Sequence, residues 1–249
     1  MFLQNGRYHH IQCAPGEIGR YVLLPGDPFR TDRIAEFLDD ATLVAHNREH
    51  KTWTGTLLGE KVSVTSTGMG CPSTAICVEE LIACGAETLI RVGTAGRIAA
   101  AAQDMALLGV INTAAVRDEG TTPQYIPIEY PAVADRHVVA ALADAAAERD
   151  YAFLEGITHS KDAFYSQFMP DSVPLAEHWE ERLEIFRRGN VLCSEMEAAA
   201  IFVISGIRGK RAGAVMAFDR TNTGKNTVDC AIETACGAIK KLILAERGG

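Results

Sequence analysis

Short apolar runs rich in Val, Ile and Leu recur along this chain and alternate with helical patterns, with glycine-containing corners between several of them. The runs at 21–24, 61–66, 88–93, 105–115, 152–158 and 212–218 read as strands, and the stretches 30–38, 73–84, 136–150, 197–206 and 227–247 read as helices. Alternation of this kind requires a mixed or parallel sheet with helices on both faces. The expected fold is α/β: a single domain, 1–249, with a central mixed β-sheet flanked by helices. A chain of 249 residues, 47% hydrophobic, can bury such a core.

Punctuation supports the pattern. The segment 62–70 alternates and then breaks at Gly68 and Gly70; Pro72 and Ser73 suit a helix start, and Gly85 supplies the stop. The loop 118–134, with three prolines, is expected to be ordered surface, and 160–177 is long enough to serve as an active-site flap.

Composition excludes several functions. A net charge of -8 argues against a nucleic-acid-binding face, although a local arginine cluster could still hold a small anion. Seven cysteines without a C-x-x-C pair read as reduced, buried thiols. No run approaches the roughly 20 apolar residues of a membrane span, so a soluble cytoplasmic protein is expected.

The stretch HNREH, 46–50, has the H-x-x-E-H spacing that on a helix would present two imidazoles and a general base. Its flanks, 41–45 and 51–55, are strand-like, and in a strand the histidines would lie about 13 Å apart. The motif then becomes a polar strand edge with solvated histidines.

Other segments point to an anion. In 23–30, LLPGDPFR, an apolar strand runs into Gly26, Asp27 can cap the next helix, and Arg30 sits where free backbone N–H groups favour negative charge. An ordinary strand-to-helix turn would read the same way. Arg91 lies inside an apolar strand and therefore needs a permanent carboxylate or an anionic ligand. Residues 93–96, GTAG, read as a tight loop at that strand's carboxyl end, where open α/β sheets place ligands. Gly68-x-Gly70 lacks the spacing of a dinucleotide site. Glu195 and Glu197, just before an apolar helix, are either helix N-terminal charges or groups that could accept from a ribose diol. Asp219 and Arg220 end a further strand, where a loop salt bridge would be equally ordinary.

Seven segments occur in order: PGDPFR (25–30), NRE (47–49), STGMGCPS (66–73), IRVGTAG (90–96), YPAVAD (130–135), KDAFY (161–165) and SEMEAAA (194–200). Together they resemble the hexameric nucleoside phosphorylase family, and most closely its uridine phosphorylase branch, over nearly the whole chain. The resemblance implies that Gly26, Arg30, Arg91 and Thr94 bind inorganic phosphate, the co-substrate, joined by Arg48 of a neighbouring subunit. It places Glu195, Met196 and Glu197 on the ribose, with His10 of the partner chain at the 5′-hydroxyl, and Gly96, Phe164 and Gln167 at the base. Arg91, Glu197, Asp219 and Arg220 would carry the catalysis. Glu49 and Ser73 match positions that hold a monovalent cation, K+, at the dimer interface of some relatives. No cofactor is implied; homodimers that share active sites and assemble into a homohexamer are.

Two departures bear on the base. Residues 167–173, QFMPDSV, lack the arginine that uridine phosphorylases pair with their glutamine, and Ser172 takes its place. Asp219 matches the aspartate that purine nucleoside phosphorylases use to protonate N7, which would suit a purine leaving group. A purine or broad-specificity enzyme is therefore the alternative to a uridine phosphorylase. A non-catalytic relative and a hydrolase are the others; a hydrolase has no need of the trio Arg30, Arg48 and Arg91.

Overall fold

A computed structural model describes residues 3–248. A small antiparallel hairpin, β1 (Leu3–Gln4) and β2 (Arg7–Tyr8), precedes the main sheet. The chain then forms β3 (Tyr21–Leu24), α1 (Pro28–Ala35), the meander β4 (Asp39–Asn47), β5 (His50–Leu57) and β6 (Glu60–Thr65), and α2 (Cys71–Cys84). Next come β7 (Thr88–Arg97), β8 (Gly109–Arg117), the short β9 (Ala132–Val133), α3 (Arg136–Ala147) and β10 (Phe153–Ser160). After α4 (Tyr165–Phe168) and α5 (Ala176–Arg188) the chain completes the fold with β11 (Cys193–Glu195), α6 (Ala198–Ile207), β12 (Arg211–Phe218) and α7 (Thr227–Gly248).

The sheet order is β11-β10-β8-β12-β7-β3-β6-β5-β4, with parallel and antiparallel pairs, so the expected mixed sheet is present. Because β11 also pairs with β7, the strands β7, β12, β8, β10 and β11 close into a ring. That closure brings the 194–197 segment to the end of β7.

Strand alternation sorts the core into two layers. Leu89 joins α2 and α6 residues in one cluster, while Ile90 and Val92 join α3 and α7 residues in the other. By the same alternation Arg91 faces the α2/α6 layer, where Glu197 is the residue that precedes α6 as its N-cap. Helix limits follow their caps: Asp27 accepts the Phe29 N–H at 2.9 Å, starting α1 two residues earlier than expected, and Gly85, at φ 114°, stops α2. All seven cysteines are free and buried.

Three expectations need correction. Residues 93–96 are not a loop: β7 continues to Arg97, pairing Gly93 with Met216 and Gly96 with Ser194. Their glycines serve close approach, since a Cβ at Gly93 would lie 2.3 Å from the Met216 methyl carbon. The strand expected from Met105 begins at Gly109, because the Asp104 side chain accepts the Ala106 N–H at 2.9 Å and turns the chain there. HNREH is the tip of the β4–β5 hairpin, and only one of its histidines is solvated: His50 is 2% exposed and its Nδ1 lies 3.0 Å from the Ser66 carbonyl oxygen.

Candidate active site

A cavity of about 1140 Å³ opens at the carboxyl ends of β3, β7 and β12 and beside α6. At one end lie Gly26, Arg30, Arg91 and Thr94. Leu24 pairs with Arg91, which sets the turn after β3 next to the arginine on β7. Arg91 donates from Nε to Glu195 at 2.8 Å and pairs through Nη2 with Glu197. Its Nη1 is buried and, among the described residues, has no hydrogen-bond partner. A Cβ at Gly26 would lie 3.9 Å from that nitrogen, so glycine keeps the space in front of it open.

Arg30 stands in the first turn of α1, with Nη1 3.3 Å from the Val92 carbonyl oxygen. Burial, and then the charge of Arg91, hold its guanidinium below the usual range. Two cations that repel one another, one with an unmet buried donor, form a place for an anion with several oxygens. The exposed Thr94 hydroxyl borders the same space.

Glu195 and Glu197 differ in their surroundings. Glu195 accepts from Arg91 Nε, from the N–H groups of Glu197 at 2.8 Å and Ala198 at 2.9 Å, and from the Ser160 hydroxyl. It therefore fixes the arginine and the start of α6. Glu197 accepts the Gly70 N–H at 2.6 Å on one oxygen and faces Arg91 with the other. Each oxygen keeps a lone pair, so two adjacent hydroxyls could be received there. Burial raises the Glu197 carboxyl above its usual range against the pull of Arg91, and Glu195 adds to the rise. Met196 lines the cavity between them.

The far wall is aromatic. Phe164 and Phe168 stack with centroids 4.4 Å apart, and a Cβ at Gly96 would lie 3.6 Å from the Phe168 ring. Lys161, Ser194, Asp219 and Arg220 complete this end. Arg97 also borders it, but its guanidinium donates to the carbonyls of Ala102, Asp104, Leu107 and Arg220 and covers the Phe218 ring at 3.8 Å.

Gln167 does not line the cavity. Its Nε2 lies 3.2 Å from His159 Nδ1 and its Oε1 accepts from Ser194 Oγ at 3.4 Å. Behind it, His159 meets Asp118 at 2.9 Å, and Arg182 donates to the same carboxylate at 2.6 Å. Ser172 is exposed and donates to the Met169 carbonyl at 2.6 Å.

His10 and Arg48 of the same chain also stand outside this cavity. His10 is held by Glu80, with Nδ1 at 2.7 Å, and Arg48 is exposed at the hairpin tip with φ 54°. Glu49 lines the cavity and accepts the Ser73 hydroxyl at 2.8 Å. Its carboxyl lies below the usual range, through its own backbone N–H and then that hydroxyl. Among the described residues no three His, Cys, Asp or Glu side chains gather as a metal site.

Sequence reasoning overlooked Lys161, Phe168 and the Asp118–His159–Arg182 group as parts of this region. Lys161 opens the quoted KDAFY segment, and Phe168 follows Phe164 at a spacing of four, one helical turn apart. Arg182 lies on α5, where Trp179, Leu183 and Phe186 form a half-buried apolar stripe; such a stripe announces a helix but not which of its charged residues meets a partner.

Comparison with known proteins gives the site its family. The sequence profile of the phosphorylase superfamily matches residues 20–244. The chain is 43% identical over 246 residues to a uridine phosphorylase of Treponema pallidum, covering 94% of each chain. It is 45% identical over 216 residues to a uridine phosphorylase of Thermococcus kodakarensis, covering 86% of this chain and 77% of the relative. A guanosine phosphorylase of Halorubrum lacusprofundi is 39% identical over 212 residues, covering 84% of this chain and 82% of the relative. With nine-tenths of its length matched, and with Arg30, Arg91 and a paired glutamate brought from α1, β7 and the start of α6 to one cavity, the chain belongs to the phosphorylase superfamily.

Proposed function

We propose that the chain, a nucleoside phosphorylase, prefers uridine and converts it with orthophosphate to uracil and ribose 1-phosphate. The observation that carries phosphorolysis is the unmatched Nη1 of Arg91, facing Gly26 beside Arg30. Phosphate seated there receives hydrogen bonds from both arginines and Thr94, while Glu197 and Met196 hold the ribose above it. A phosphate oxygen bonds to C1′ as the C1′–N1 bond breaks, and the electron pair leaves on the base. Fixing the nucleophile and balancing charge supply the acceleration, without a covalent enzyme intermediate.

The reading includes further parts. The chain acts as one domain in a homodimer, within a homohexamer in the cytoplasm. Arg48 and His10 enter from the neighbouring copy, and Glu49 with Ser73 provides oxygens for K+ at that interface. Phe164 and Gly96 form the base side, with Gln167 behind them on Ser194 and His159, and Asp219 and Arg220 stand at the rim.

Uridine is favoured because two relatives at 43% and 45% identity carry that activity. Asp219 on the cavity wall and the guanosine phosphorylase relative favour a purine instead. Assays of uridine, thymidine, inosine, guanosine and adenosine with orthophosphate decide. Uridine should exceed each purine nucleoside in kcat/KM by about tenfold or more, the order of discrimination a shaped pocket supplies. The reverse order would make the enzyme a purine phosphorylase, and base release indifferent to phosphate would make it a hydrolase.

A further inference from the structure

Lys161 is the buried cation at the aromatic end of the cavity, and the mechanism above leaves it without a role. It is 3% exposed, and its Nζ lies 5.1 Å from the Phe164 centroid and 4.8 Å from that of Phe168. Its one side-chain hydrogen bond among the described residues goes to Ser194 Oγ at 3.1 Å. No carboxylate lies within ion-pair distance of it among those residues. An ammonium has three donors; the two aromatic faces attract its charge but accept no conventional hydrogen bond. With Ser194 as the one acceptor, two donors are left over in a buried place, which is costly. Burial lowers its pKa, opposed by the fields of Glu195 and Glu197.

The neighbouring polar groups are committed elsewhere. Ser194 donates onward to Gln167, whose amide nitrogen is directed to His159, so this glutamine is drawn behind the wall. Arg97 is occupied by four carbonyls, and Arg220 is exposed at the rim. Segment 167–173 offers no arginine.

We infer that Lys161 donates a hydrogen bond to a carbonyl oxygen of the leaving base and stabilises the charge that develops on it. The inference rests on the proposed phosphorolysis, because it needs a nucleobase at the aromatic wall. As the C1′–N1 bond breaks, its electron pair passes into the ring and on to the carbonyl oxygens, while phosphate oxygen forms the new bond to C1′. Lys161 keeps its proton throughout. The base departs as the anion and takes a proton from water. The ammonium thus acts as a preorganised donor where charge appears, in a wall that excludes solvent.

The test compares uridine with 5-fluorouridine, whose fluorine makes the departing base a weaker base that needs less help. With saturating phosphate, Lys161→Met should lower kcat on uridine about 100-fold, the usual effect of losing one such donor, and on 5-fluorouridine markedly less. Lys161→Arg should restore much of the uridine rate. Equal loss on both nucleosides, or no loss, would overturn the inference, since a packing role would not sense the leaving group. The unaltered chain supplies a measurement independent of how the variants fold. In a crystal with phosphate and uracil, Nζ should lie within about 3.2 Å of a base oxygen. A base bound with every oxygen beyond reach of Nζ would also overturn it. Unaltered enzyme active on uridine while the variants show no leaving-group effect rejects the lysine's role alone; unaltered enzyme without phosphate-dependent release rejects both readings.

Discussion

Arg91 and Arg30 carry opposite energetic signs. Arg91 is matched by two buried carboxylates, so Arg91→Ala would leave Glu195 and Glu197 without their cation and should cost about 3–5 kcal/mol of stability. Arg30 meets a neighbouring cation and one carbonyl, and burial works against its charge. Arg30→Ala should therefore cost less than about 1 kcal/mol in the absence of phosphate. Under the proposed function it should lower kcat/KM for phosphate about 100-fold, as expected for a charge-assisted donor to the nucleophile. Thermal melts with and without orthophosphate, run beside the kinetics, check both: phosphate should raise the midpoint of the parent more than that of the variant. A variant equally responsive to phosphate would remove Arg30 from the site. Sequence alone could demand a partner for Arg91 but could not choose between a carboxylate and a ligand. The structure supplies both: carboxylates on Nε and Nη2, and an unmet donor on Nη1.

Among the elements, β7 and α5 show what a sequence can and cannot disclose. Apolar runs mark the central strands, and β3 lies where it was expected, because fully buried strands have no polar face to blur them. GTAG reads as a turn because glycine has two uses; only the neighbours, Met216 and Phe168, show that close packing is the one in force. Helix α5 has no fully buried residue, yet it meets the Asp118 group in two ways: Phe186 packs on His159 with ring centroids 4.7 Å apart, and Arg182 reaches Asp118. Although burial alone would raise it, the Asp118 carboxyl is held below its ordinary 3.8 by His159, the Asp162 N–H and Arg182. Its stabilisation is therefore complete above 3.8 and is lost as pH falls through the lower value of the folded state. Asp118→Asn should cost about 3 kcal/mol near neutrality, the scale for breaking a buried ionic network. In denaturation series across pH, the gap between parent and variant should be full above about pH 5 and narrow in acid. A gap independent of pH would mean that Asp118 contributes through shape and not charge.

For the whole molecule, the notable placement is that Arg48 and His10 lie away from the cavity of their own chain while Glu49, next to Arg48, lines it. The strand-like flanks of HNREH were legible, although the hairpin turn at Arg48 was not, and a single chain's sequence carries no coordinates for a second copy. If active sites are shared, Arg48→Ala and Glu197→Gln should each be nearly inactive as pure proteins yet complement one another. Random exchange makes half the dimers mixed, with one intact site of two, so about a quarter of the parent activity should return. No recovery after subunit exchange would confine each site to one chain. The most direct test of the central claim is phosphorus NMR of the enzyme with uridine and orthophosphate, alongside measurement of uracil. Phosphorolysis predicts that orthophosphate declines and a sugar 1-phosphate ester grows in step with uracil, and that uracil release stops when phosphate is left out. Uracil accumulating with the orthophosphate signal unchanged would contradict it.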